Sequence, residues 1–210
     1  MSYHLEILPA QQVEVLRALA PHAGEEGFHL AGGTALALRL GHRRSVDLDW
    51  FSPSWTGPAE ELASRLRSAG IPLVAHQFAK GTLHGEVEGV HVSFLRYAYP
   101  DLQPVDSWVE LDCRIASLQD LACMKLSAVT QRGTRRDFVD IAFVLKQGLS
   151  LKNVLDLYRA KYSVTDVGHV LVSLAYFDDA EREPMPTMLL PCDWEALKSE
   201  LRTQLLQFAG

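Results

Sequence analysis

Asp47 and Asp49 are two carboxylates separated by one residue, in Ser45-Val46-Asp47-Leu48-Asp49-Trp50. Apolar Val46, Leu48 and Trp50 alternate with them, the period of two that marks a β-strand. Alternate side chains on a strand share a face, so the two acids point the same way, about 6.5–7 Å apart. Like charges so placed repel, and a divalent cation is the usual reason for the pair. Mg²⁺ or Mn²⁺ takes hard oxygen ligands and binds through carboxylates plus substrate phosphates. Upstream lies Gly32-Gly33-Thr34, between an apolar strand ending near Ala31 and a short helix rich in Ala and Leu. The glycines let backbone approach an anion closely, and the helix start offers unpaired N–H groups and a positive dipole end. A phosphate cradle beside a metal-binding pair makes a nucleotide site. Either element alone is weak: Gly-Gly-Thr turns are common in loops, and Asp-x-Asp is often a solvated strand edge.

A basic loop, His42-Arg43-Arg44, leads into the aspartate strand. Its guanidinium groups are suited either to bidentate phosphate binding or to pairing with a carboxylate in a solvated loop. A second cluster runs from Lys125 to Asp140. Lys125 and Arg132 are seven apart and share a helix face. Gly133 breaks that helix, and Thr134 can cap the next. Arg135 and Arg136 then fall in a helix's first turn, where cations oppose the dipole, which favours a phosphate or an acidic partner. Asp137 and Asp140 suit a helix start and can orient Arg136 or Lys125. The alternative is an ion-paired helix junction, and the two readings are compatible. If the protein binds a large nucleic acid, six cations, Arg43, Arg44, Lys125, Arg132, Arg135 and Arg136, should surround one cleft with Asp47 and Asp49.

Together, Gly32-Gly33-Thr34 followed by Asp47-Leu48-Asp49 resembles the signature of polymerase-β-type nucleotidyltransferases. The flanks LAGGTALAL and GHRRSVDLDWFS, with the later Lys helix and Arg-Asp-x-x-Asp stretch, are similar to the AbiEii/AbiGii toxin family (DUF1814). The resemblance implies Asp47 and Asp49 as metal ligands and Gly32, Gly33 and Thr34 as triphosphate binders. It implies Lys125 as a neutraliser of phosphate charge and Asp137 as its support; by their placement, Arg43, Arg44, Arg132 and Arg136 are candidate further phosphate contacts. The polymerase-β pattern also asks for a third carboxylate on a later strand, and that position falls on Ser93. His91, on the same strand face, can serve as base or ligand, or is simply a half-buried strand histidine. Asp112 has an apolar–acid–apolar setting but sits one strand too late. The implied activity is Mg²⁺- or Mn²⁺-dependent transfer of a nucleoside monophosphate from an NTP to an acceptor, with pyrophosphate released. The implied acceptor is RNA, a tRNA end, and the implied setting is a type IV toxin–antitoxin or abortive-infection system with a cognate antitoxin. Three other classes compete: a degenerate nucleotide-binding module without turnover, a transferase acting on a small aminoglycoside-like molecule, and a structural or interaction role alone.

The elements that must position these residues are an α+β nucleotidyltransferase core, a small mixed sheet with flanking helices, over residues 1–116. A helical bundle follows over 117–210. Strands are predicted over Pro72–Phe78, Thr82–Val87, Val90–Tyr97 and Trp108–Ile115, with Glu88-Gly89 as a hairpin turn. Beyond Ser117, whose side chain should cap a helix with Asp120, every periodic segment is helical. The 210 residues hold 48 % hydrophobic and 22 % charged side chains, enough for a core. A net charge of −6 argues against a generally basic nucleic-acid-binding surface, so any RNA contact must be local. Three scattered cysteines without metal spacing suggest free thiols. No apolar run reaches membrane length, and no leader pattern opens the chain, so a cytoplasmic protein without membrane partners is expected.

Overall fold

The computed structural model describes residues 3–209; the outer ends of both expected regions, residues 1–2 and 210, lie outside them. Helix α1 (Ala10–Glu25) leads into strand β1 (His29–Ala31), helix α2 (Gly32–Leu40) and strand β2 (Leu48–Ser52). Helix α3 (Ala59–Ser68) precedes three strands, β3 (Leu73–Ala79), β4 (Thr82–Val87) and β5 (Val90–Arg96). Strands β6 (Asp106–Trp108) and β7 (Cys113–Ile115) complete a seven-stranded mixed sheet in the order β3-β4-β5-β2-β1-β7-β6. Five helices follow: α4 (Leu118–Gln131), α5 (Arg135–Leu145), α6 (Leu151–Tyr162), α7 (Gly168–Ala175) and α8 (Trp194–Ala209).

Local chemistry accounts for these boundaries. Glu88 and Gly89 both take positive φ, the two-residue turn that matches strand twist, so Val87 pairs with Val90 and the register runs back from there. Ser117 accepts a hydrogen bond from the Asp120 N–H at 3.0 Å, the expected cap of α4. Gly41, left-handed at φ 62°, ends α2.

Two expectations are corrected. The aspartate strand begins at Leu48, and Val46 is 59 % exposed, because residues 42–47 form a loop bonded to other elements. The stretch from Trp108 to Ile115 is a bent hairpin, broken by a single helical turn over Val109–Leu111 and by left-handed Asp112. Two consecutive exposed residues, Val109 and Glu110, interrupt the alternation there.

Within β2, Leu48, Trp50 and Ser52 are buried, and Asp49 and Phe51 lie on the half-exposed face. Trp50 stacks with Phe94, and Phe28 meets Phe94 edge-on at 5.2 Å. Each such buried side chain contributes roughly 1.5–3 kcal/mol. This core holds the central strands rigid, so Asp49 on the opposite face of β2 has a fixed position. Helix α4 packs against α2, α5, α6 and α7, bringing the helical half up to the sheet.

Candidate active site

Register places the first constellation. Antiparallel β1 sets Ala31 opposite Asp49, parallel β5 sets Ser93 opposite Asp49, and β4 sets His84 opposite Ser93. Paired residues share a face, so Asp49, Ser93 and His84 form one row across three strands. Ser93 therefore stands where the third carboxylate was sought. It hydrogen-bonds to Asp49, and its Oγ lies 3.0 Å from His84 Nδ1. In the sequence, His84 lacks metal-ligand spacing and reads as an ordinary core or surface histidine. Counting back from the Glu88-Gly89 turn would have found it, since that turn fixes Ser93 opposite His84. His91 is exposed and opposite Glu86, and Asp112 lies in the hairpin beyond β1.

Burial and the neighbouring Asp47 charge raise the Asp49 pKa, more than the Ser93 hydrogen bond and the Lys125 and Arg132 charges lower it. The pair thus carries a standing repulsion that a cation would relieve. Two carboxylates and a hydroxyl are the hard oxygen donors that Mg²⁺ or Mn²⁺ accepts. Among the described residues no group of three or more His, Cys, Asp or Glu side chains is arranged for a metal.

Gly32 opens α2 at φ +66°, and a Cβ there would lie 2.5 Å from Asp49 Oδ2. Gly32→Ala is therefore expected to displace Asp49 and strain the backbone. The expected result is an activity loss of about tenfold or more with a lowered melting temperature. Unchanged activity would show that Asp49 can move without consequence. A Cβ on Gly33 would lie 2.8 Å from Arg43 Nη2, so this glycine makes room for the arginine. Thr34, an expected triphosphate binder, makes its side-chain contacts within the chain. It is buried, and its hydroxyl bonds Ser45 Oγ at 2.8 Å and the Asp47 carbonyl, tying down the loop that carries Asp47.

The second constellation is an ion-paired junction. Lys125 Nζ lies 3.0 Å from Asp137 and 2.7 Å from Asp140. Arg132 grips Asp137 with two nitrogens at 2.8 and 2.9 Å, and Thr134 donates to the same carboxylate in place of capping the backbone. Arg43 is buried and holds both Asp140 oxygens at 2.7 and 2.8 Å, while His42 Nε2 sits 2.8 Å from Oδ1. Burial alone would raise both acids. The Arg132 bonds, the Lys125 charge and Thr134 instead hold Asp137 at about 2, and Lys125, Arg43 and His42 hold Asp140 well below the usual range. Asp137 thus orients Lys125 and Arg132, and not Arg136. Arg135 meets an acidic partner within the chain, Glu181, and stacks on Trp194.

Two clefts of about 350 Å³ flank the aspartates. One contains Gly32, Gly33, Asp49, Lys125 and Arg132, with Phe51 and Tyr97 edge-on at 5.3 Å. The other contains Asp47, Arg43, Arg44 and Arg136. The expected single basic ring is thus divided in two, and Arg135 belongs to neither.

A glycine-led helix start beside an Asp-x-Asp strand, on a mixed sheet, defines the nucleotidyltransferase fold, and solved structures share it. A putative nucleotidyltransferase from H. pylori superposes with a TM-score of 0.55 at 20 % identity over 95 % of each chain. MenT4, a nucleotidyltransferase toxin from Mycobacterium tuberculosis H37Rv, gives 0.56 at 14 % identity over 92 % of this chain and 81 % of that one. An uncharacterized protein of Aquifex aeolicus (strain VF5) is 35 % identical over 178 residues, 84 % of this chain and 86 % of the relative. The sequence profile described as nucleotidyl transferase AbiEii toxin, type IV toxin–antitoxin system, matches residues 14–113 and 96–208. This chain belongs to the AbiEii nucleotidyltransferase toxin family. Among its described residues no helix is long and apolar enough to cross a membrane.

Proposed function

We propose that the protein transfers a nucleoside monophosphate from an NTP to an RNA acceptor, a tRNA end by family resemblance, as the toxin of a type IV toxin–antitoxin system with a cognate antitoxin. The observation that carries this reading is Asp49, half-buried beside Asp47, with its carboxylate against Gly32 at the start of α2. Asp47 and Asp49 would hold Mg²⁺ or Mn²⁺. The bound ion supplies charge neutralisation at the α-phosphate and the leaving pyrophosphate.

The chain's own residues do the remainder. The α2 N-terminus, Lys125 and Arg132 face the polyphosphate, and Asp137 keeps both cations in place. Phe51 and Tyr97 offer an apolar surface for the nucleoside. In the transfer, the acceptor oxygen forms its bond to the α-phosphorus as the bond to the bridging oxygen breaks. Pyrophosphate leaves with the electron pair, and the acceptor proton passes to solvent. Ser93, carrying no charge, positions Asp49 and takes up no proton.

The test is incubation with each labelled NTP, Mg²⁺ or Mn²⁺, and total cellular RNA, beside an Asp47→Asn protein. Label on RNA only with Asp47 intact is expected. Tight NTP binding with no label on RNA or protein would refute transfer to RNA and favour the non-catalytic module. Label on an aminoglycoside but not on RNA would favour the small-molecule transferase.

A further inference from the structure

The two clefts share no residue, yet each takes one of the aspartates: Asp49 lines one and Asp47 the other. An in-line displacement needs the acceptor and the leaving group on opposite sides of the phosphorus. If pyrophosphate departs over Gly32, Gly33, Lys125 and Arg132, the separate cleft lined by Asp47 is the one left for the acceptor. We propose that the Arg44–Arg136 cleft is the acceptor site, and that it receives the phosphodiester backbone of RNA. This rests on the transferase reading above.

The charges argue for an anion there. Of the six cations considered, Arg43, Lys125, Arg132 and Arg135 are all held by carboxylates of the chain. Among the described residues, the guanidinium groups of Arg44 and Arg136 have no such partner, and both are exposed. The one glutamate in the cleft, Glu183, is engaged: its Oε2 accepts from the Arg135 backbone N–H at 2.9 Å. Two free guanidinium groups flanking Asp47 fit bidentate phosphate contacts and repel a polycationic aminoglycoside.

The walls are built in advance. A segment from the far end of the chain lies along the basic loop, with Arg43 bridged to Met188. Arg44 N donates to Thr187 O at 2.8 Å, and Leu189 N donates to His42 O at 2.9 Å. The Arg44 carbonyl also accepts from Arg43 Nη1 at 2.9 Å. Arg44 thus stands on a pinned backbone, so an incoming strand need not order the loop that receives it.

The test compares the full-length protein with Arg44→Gln/Arg136→Gln in transfer of labelled nucleotide to RNA. KM for RNA is expected to rise about tenfold or more, with KM for the NTP within twofold of the parent. The dependence of log affinity on log salt should flatten by about 1.4, at ~0.7 per lost single-strand phosphate contact. The melting temperature should not move, since neither guanidinium has an internal partner. A raised KM for the NTP with that for RNA unchanged would reverse the assignment, and no change in either would overturn it. If the parent transfers nothing to RNA, the transferase reading fails. RNA binding by fluorescence anisotropy then decides this inference separately: weaker binding by the double variant supports it, and equal binding overturns it.

Discussion

Asp49→Asn is expected to remove activity and, in metal-free protein at neutral pH, to raise the melting temperature. The two effects have one cause. Burial and the Asp47 charge raise the Asp49 pKa, so its ionised form is held at a cost in the folded state. For a carboxyl whose folded pKa lies above its unfolded value, the native state binds the proton more tightly. Stability therefore falls as pH rises from the unfolded value, ~4, through the raised folded value, and the cost is complete above it. Asparagine is neutral throughout and can still bond Ser93. Its advantage should be largest at neutral pH and shrink as the pH falls toward ~4. Added Mg²⁺ should stabilise the parent and have little effect on the variant. The loss in turnover should be roughly 10²–10³-fold, the usual cost of removing one electrostatic stabiliser of developing charge. Thermal melts with and without Mg²⁺, beside label transfer, check both halves. A variant less stable than the parent without metal would mean that the Asp49 carboxylate holds the fold together.

The opposite outcome is expected for Asp140→Asn. Asp140 is fully buried and is shared by Lys125, Arg43 and His42. Removing its charge leaves buried Arg43 without a carboxylate and Lys125 with Asp137 alone, a loss typically of 3–5 kcal/mol. In a chain of this length the melting temperature should fall by on the order of 10 °C. Activity should fall as well, because the Arg43–Asp140 pair fastens the loop before Asp47 to α5. The contrast is Arg132→Gln. Arg132 is 50 % exposed, and Asp137 keeps Lys125 and Thr134, so a loss within ~1 kcal/mol is expected. Melting at neutral pH distinguishes these cases. A fall of under ~3 °C for Asp140→Asn would show that Lys125 and Arg43 find other partners. Both acids also give stability that is present above ~4 and lost on acidification, for Asp137 as pH falls through about 2.

What the sequence determined by itself is local. Periodicity and turn residues set the central strands and the five later helices, because each depends on neighbours a few residues away. Asp47 and Asp49 were legible as a pair for the same reason, and the Glu88-Gly89 turn already implied the His84–Ser93 pairing. Which cations remain available for a ligand was decided by tertiary structure. Arg43 and Asp140 are 97 residues apart, and nothing in either neighbourhood shows that they will meet. Arg43, Arg44 and Arg136 look alike in sequence. Only packing of α5 against α2 buries the first on a carboxylate, while the other two remain free beside Asp47. Burying a charge is costly unless it is paired, so the fold had to spend Arg43 internally and could leave Arg44 and Arg136 in water.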